Sequence, residues 1–261
     1  MEARSSSGSM EREHSVAGIL RAAVPSGPLR IDRRLLIVSL LATAALVVLT
    51  LIVYTHPYLP VDASIERAVQ GVPAGPLLYV FAFYTAIGGP FAIVAEVVVF
   101  GIVLLLNRQA WRLVIAAALI SGWYLLISHV VLRPRPAVGQ VLRVTEHPGA
   151  SSYPSGHTIL FMTYCVVLML CVVYRFLPRS ARPVGWAVVV VLMAVGAISR
   201  MYSGAHWPTD VLAGLLIGVG WLSFVVSVNW ISGPALHAPL TQRQAAAAAR
   251  AGVPADQLAG T

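Results

Sequence analysis

A chain of 261 residues that is 58% hydrophobic and only 11% charged carries too few polar side chains to clothe a soluble domain of its size. Its net charge of +8 comes from 18 arginines, with no lysine, against 10 acids. Those arginines sit between apolar runs, where they orient a protein in a bilayer, so the composition excludes an ordinary soluble enzyme and argues against a nucleic-acid partner.

Residues 1–33 are rich in Ser, Gly, Arg and Glu without a sustained apolar period, and read as a mostly disordered tail. Leu35 to Tyr54 supplies the roughly 20 apolar residues a spanning helix needs, and His56-Pro57 ends it. No signal peptide is expected, since this first apolar run starts late and is long enough to stay in the membrane. Val61 to Val69 spaces Val61, Ile65 and Val69 four apart among Asp62, Glu66 and Arg67, an amphipathic pattern suited to the membrane surface. Leu77 to Ile87 is too short to cross alone and is expected to dip into the interface before Gly88-Gly89-Pro90 breaks it. Phe91 to Leu106 is the second span and contains Glu96, an acid that is either functional or a neutral hydrogen-bonded helix contact.

Trp111 to Leu132 makes the third span, His157 to Phe176 the fourth, Val184 to Ser199 the fifth and Pro208 to Ile231 the sixth. Cys165 and Cys171 lie six apart within one apolar run, pointing differently, and read as core packing rather than a disulfide. Residues 232–261, with an Ala-rich stretch from Ala245 to Ala251, read as a second weakly structured tail. The expected fold is all-α, a polytopic six-helix bundle over 34–231 with short interfacial helices. Six spans put both tails on one side. With tails inside, Arg4, Arg12, Arg21, Arg30, Arg33, Arg34, Arg108, Arg112, Arg175, Arg179, Arg182, Arg243 and Arg250 are inside, and Arg67, Arg133, Arg135, Arg143 and Arg200 outside. Thirteen against five predicts cytoplasmic termini. Arginine as the sole cation, with abundant Ala and Val, fits a GC-rich bacterial genome and hence a bacterial cytoplasmic membrane.

This topology gathers three polar stretches on the outer face: Leu132-Arg133-Pro134-Arg135-Pro136, Tyr153-Pro154-Ser155-Gly156-His157-Thr158, and the run from Ser199-Arg200 to His206 and Asp210. Ser155, Gly156 and His157 offer backbone N–H groups at a positive helix end, a seat for an oxyanion, although Ser-Gly is also a common cap. Arg135 and Arg200 can clamp a phosphate bidentately; Arg133 is either a third clamp or snorkels to lipid headgroups. His206 and Asp210 are four apart, so the carboxylate can accept the imidazole Nδ1–H and leave Nε2 as a nucleophile, with His157 free to protonate the leaving oxygen. The same His157, His206 and Asp210 could also be drawn as a metal site, but the arginines would repel a cation and already supply its charge, so no metal and no cofactor is expected.

These stretches resemble the type 2 phosphatidic acid phosphatase family of membrane lipid phosphatases, which shares its site with bacterial acid phosphatases and vanadium haloperoxidases. The family pattern is Lys-x6-Arg-Pro, Pro-Ser-Gly-His and Ser-Arg-x5-His-x3-Asp. The second stands here as Pro154-Ser155-Gly156-His157 and the third as Ser199-Arg200, His206 and Asp210, while the first keeps Arg135-Pro136 but has Ser128 in the lysine's place. The resemblance covers about Leu35 to Trp230. It implies a metal-independent hydrolase in which His206 forms a phosphohistidine, His157 acts as general acid and then base, and Arg135, Ser155, Gly156 and Arg200 hold the phosphate. For the missing lysine, either Arg133 or His129 compensates, Ser128 gives one uncharged hydrogen bond, or binding is weaker or different. The expected substrate is a lipid phosphate at the outer leaflet, foremost an isoprenoid diphosphate such as undecaprenyl diphosphate. Phosphatidylglycerol phosphate, phosphatidic acid and prenyl-phosphate sugars are alternatives, as are transfer to an alcohol acceptor or lipid-phosphate binding without turnover. Oligomeric state has no signal in the sequence.

Overall fold

The computed structural model describes residues 29–146 and 149–236. The chain divides into a short unit, Met1–Arg30, and a unit Ile31–Thr261 that holds every helix named below. The expected N-terminal tail and the Ala-rich stretch lie outside the described residues, apart from the tail's last few positions.

Helix α1, Arg33–Thr55, starts where the Asp32 carboxylate accepts the N–H groups of Arg34 and Leu35, donors that lack a partner within the helix. It is followed by α2 (Pro60–Gly71), α3 (Leu77–Gly88) and α4 (Ala92–Leu106). The third span is broken at Leu119 into α5 (Trp111–Ala118) and α6 (Ile120–Val130). Helix α7 (Gly156–Leu168) runs on through a π-turn at Met169–Val173, and α8 (Arg182–Tyr202) and α9 (Pro208–Ser227) complete the bundle.

Five helical stretches, Arg33–Thr55, Arg108–Val130, Gly156–Phe176, Arg179–Tyr202 and Pro208–Ser227, are long and apolar enough to cross a membrane. The α3–α4 pair, bent by 85° at the Gly88-Gly89-Pro90 break, makes a sixth when its two halves are counted as one broken span. The chain is thus an all-helical multi-pass membrane protein. Two boundaries differ from expectation. The sixth span stops at Ser227 because Val228 takes an extended conformation, and a further helix, α10 (Asn229–Leu236), crosses the expected start of the second tail.

In hydrocarbon, helices associate through close packing of small residues rather than by expelling water. Helix α9 is built for this. A Cβ at Gly220 would lie 3.2 Å from Thr43 Oγ1 of α1, and one at Gly214 would lie 2.8 Å from the Ser155 carbonyl and 2.9 Å from Thr158 Cβ. These glycines let α1 and α7 lie directly on α9. The N-terminal ends of α7 and α9, which carry the second and third motifs, are thereby fixed side by side. At the other end of the bundle Phe100, Leu113, Tyr164, Val167, Cys171 and Val225 form the main apolar core, and both cysteines are free thiols.

Helix α2 reverses a simple surface reading. Asp62, Glu66 and Gln70, spaced four apart, are buried against the protein, while Val61 and Ile65 face outward. Of its apolar stripe Val61 and Ile65 are exposed and Val69 packs beside Phe81 and Tyr202, while its polar stripe meets the site.

Candidate active site

The loop between α6 and α7 brings the first two motifs together. Ser152 N–H donates to the Arg133 carbonyl at 2.9 Å, and the Ser151 hydroxyl donates to the Val131 carbonyl at 2.6 Å. The Trp207 indole donates to the Pro134 carbonyl at 2.9 Å, tying in the third motif. The turn ahead of α9 is closed by the Arg200 carbonyl, which accepts from Ala205 N–H at 3.2 Å and His206 N–H at 3.4 Å. Gly204 makes that turn possible: its φ is +71°, and a Cβ there would also run into the Arg143 carbonyl.

His157 and His206 consequently face each other, with ring centroids 6.3 Å apart and planes inclined at 63°. Both line one cavity of about 470 Å³, together with Arg135, Gly156, Tyr124 and the Gly88-Gly89 break. A phosphorus approached to about 3 Å by one ring nitrogen, with its leaving oxygen about 2.8 Å from the other ring, fits a gap of that order. His157 Nε2 lies 3.4 Å from the Thr85 carbonyl. A Cβ at Gly88 would collide with the His157 imidazole, so the helix break also makes room for that ring.

The anchor of His206 differs from the expectation. Its Nδ1 is 2.7 Å from the Ser152 carbonyl and 3.9 Å from Asp210 Oδ2, so the backbone, not the carboxylate, accepts the Nδ1–H. Nε2 is left as the lone-paired nitrogen all the same. Asp210 instead accepts Trp207 N–H at 2.9 Å and Arg133 at 2.5 Å. Burial holds the His206 pKa below the ordinary histidine value, with Asp210 pulling the other way.

Arg135 reaches the cavity with its guanidinium braced by three carbonyls: Gly149 at 3.1 Å, Ala205 at 2.6 Å and Ser151 at 2.6 Å. Burial works against its charge, and Asp210, Tyr124 and Glu146 work for it. Arg200 is held by Glu146, with Nη1 3.0 Å from Oε2 and Nη2 3.3 Å from Oε1, and it also donates to the Thr85 hydroxyl. Thr85 in turn donates to Glu146 Oε1 at 2.8 Å. A carboxylate of the loop therefore sits on one of the two expected phosphate clamps.

Arg133 is not a clamp, and it does not snorkel. Its guanidinium is enclosed, with Nη1 2.5 Å from Asp210 and 2.7 Å from Thr209 Oγ1, Nη2 2.6 Å from Asp62 and Nε 2.9 Å from the Pro57 carbonyl. It is buried, paired with two carboxylates and absent from the cavity lining, so a ligand there does not reach it. Ser155 is likewise beneath the cavity wall: its N–H donates to the Asp210 carbonyl at 3.0 Å and its hydroxyl accepts from Thr158 at 3.0 Å. The first-turn N–H groups of Gly156 and His157 remain as the helix-end donors. The Ser128 hydroxyl donates to the Leu125 carbonyl at 3.1 Å, and His129 Nδ1 lies 2.7 Å from the same oxygen; neither lines the cavity. Glu96 does line it, on α4 below the break.

Three participants escaped the sequence reading. Thr85 and Glu146 were findable only as isolated polar residues near a glycine break and in a long loop. Asp62 carried a better signal, since Asp62, Glu66 and Gln70 share the same four-residue spacing as the apolar stripe. Among the described residues no three His, Cys, Asp or Glu side chains converge as a metal-ligand set.

Residues 109–233 match a family model described as the PAP2 superfamily. Over 91 residues the chain is 37% identical to a Bacillus licheniformis protein named bacitracin transport permease protein BcrC, covering 35% of this chain and 40% of that one. The chain thus spans about two-fifths of that relative's length. It is 31% identical over 142 residues to undecaprenyl-diphosphatase BcrC of Bacillus subtilis, covering 51% of this chain and 68% of the relative. Its fold is similar to the crystal structure of a transmembrane PAP2 type phosphatidylglycerolphosphate phosphatase from Bacillus subtilis, with a TM-score of 0.57 at 22% identity over 72% of this chain and 93% of that one.

Proposed function

Because the chain belongs to the PAP2 superfamily, we propose that it is an integral membrane lipid phosphatase that releases phosphate from a lipid phosphate or diphosphate, foremost undecaprenyl diphosphate. The observation that carries this reading is the pair of imidazoles, 6.3 Å apart across one cavity that also holds Arg135 and the N-terminal end of α7. The relative from Bacillus subtilis, named for that diphosphate, supports the substrate.

In this reaction His206 Nε2 attacks the terminal phosphorus, and the bond from phosphorus to the lipid-side oxygen breaks as His157 delivers a proton to that oxygen. Arg135, Arg200 and the first-turn N–H groups of α7 stabilise the charge on the non-bridging oxygens. His157 then takes a proton from a water, which attacks the phosphohistidine; the P–N bond breaks and free phosphate leaves. Two arginines supply the charge, so turnover needs no metal ion. The arginine distribution supports cytoplasmic termini and a site at the outer face of a bacterial cytoplasmic membrane, where the headgroup would reach the site while its chain stays in hydrocarbon.

The test is phosphate release by the full chain in detergent from undecaprenyl diphosphate, phosphatidylglycerol phosphate and phosphatidic acid, with EDTA present. Fastest release from the isoprenoid diphosphate, unaffected by EDTA, is expected. Loss of activity with EDTA overturns the metal-free reaction, and preference for a glycerolipid overturns the substrate.

A further inference from the structure

The family pattern puts a lysine where this chain has Ser128, yet neither Ser128 nor His129 faces the cavity; both are turned to the Leu125 carbonyl of their own helix. One helical turn earlier, on the same side of α6, stands Tyr124. It lines the cavity with Arg135, Gly156, His157 and His206. Its ring lies against the first residue of α7: a Cβ at Gly156 would be 3.0 Å from Tyr124 Cε2 and 3.2 Å from Cζ. Glycine at that position is therefore what admits the ring. Cζ, which bears the hydroxyl, thus lies beside the helix end that offers its N–H groups to an anion. Among the described residues the hydroxyl makes no hydrogen bond.

We propose that Tyr124 is a phosphate-binding residue, its hydroxyl donating to a non-bridging phosphoryl oxygen between Arg135 and the N-terminal end of α7, in place of the family's lysine. The inference rests on the phosphatase reading above. A hydroxyl brings a donor without a charge, and Arg135 is the arginine that lines the cavity beside it.

The experiment is calorimetric titration of the full chain in detergent with inorganic phosphate and with orthovanadate, without lipid substrate. One neutral hydrogen bond corresponds to about a three- to tenfold change in affinity. Tyr124→Phe keeps the ring against Gly156 and is expected to weaken both anions by about that factor, with an unchanged melting temperature. Ser128→Ala and His129→Ala are expected to bind as the unaltered chain does. Equal binding by Tyr124→Phe, or weakened binding by either of the other two, overturns the assignment and leaves the phosphatase reading standing. An unaltered chain that binds neither anion overturns both.

Discussion

Arg133 and Asp210 meet at 2.5 Å with no solvent access, and Asp62 takes the other arm of the same guanidinium at 2.6 Å. The contact joins α2 to the first turn of α9, where Thr209 N–H and hydroxyl also donate to Asp62 at 3.0 and 2.7 Å. Removing one member of such a buried cluster leaves an uncompensated charge, at a cost of about 3–5 kcal/mol. Arg133→Ala is therefore expected to lower the melting temperature sharply or abolish folding, and Arg133→Lys to fare little better, since one ammonium cannot reproduce a fork that reaches three directions. Arg135→Ala is expected to weaken phosphate binding with a smaller loss of melting temperature. Thermal unfolding in detergent, read beside phosphate affinity, separates the two arginines that a shared Arg-Pro-Arg-Pro motif makes look alike.

Glu146 occupies the Arg200 guanidinium, which the proposed reaction assigns to the phosphate. A charge-assisted hydrogen bond contributes about 1.5–3 kcal/mol, so the incoming anion must replace contacts of that size. Glu146→Gln removes the competing charge and is expected to tighten inorganic phosphate inhibition by about tenfold. Weaker inhibition in this variant would mean that Glu146 orients Arg200 for the phosphate rather than occupying its place.

Glu66 lies beside Asp62 and Asp210, one Oε2 without a hydrogen-bond partner, and burial together with those carboxylates pushes its pKa from 4.5 up to about 9. The folded protein thus keeps a proton that the unfolded chain releases near pH 4.5. Stability from this group is full below pH 4.5 and declines as pH rises toward 9. Glu66→Gln, a neutral isostere, is expected to raise the melting temperature, with the difference growing from pH 5 to pH 9. A difference that shrinks with pH would mean that Glu66 is ionised in the fold.

His206 must be neutral to attack, and burial lowers its pKa from 6.5. The nucleophile is then available below the ordinary histidine range. The acid limb of kcat/KM is expected beneath pH 6.5; an acid limb above it would contradict the buried, backbone-anchored imidazole described here.

The spans and the second and third motifs were legible in the sequence because apolar length and fixed spacing are local properties. Gly88-Gly89-Pro90 was legible as a break, but not as the space that accepts the His157 ring, since that depends on α7 lying alongside. The roles of Arg133 and Arg135 were not separable by pattern: two residues apart in an extended segment, one turns into the Asp62–Asp210 cluster and the other into the cavity. Likewise the partner of His206 Nδ1 is a backbone carbonyl, which no side-chain motif encodes. Helix α2 was read for its apolar stripe, although its polar stripe had the same period and is the one the site uses.

In the proposed reaction His206 becomes covalently phosphorylated while His157 handles protons on the other side of the cavity. Rapid quench of the full chain with lipid diphosphate labelled at the terminal phosphorus tests it directly. Acid-labile label is expected on His206 in the unaltered chain, none in His206→Ala, and in His157→Ala any label that forms is expected to persist because its hydrolysis is slowed. Label or steady phosphate release in His206→Ala would mean that His206 is not the nucleophile.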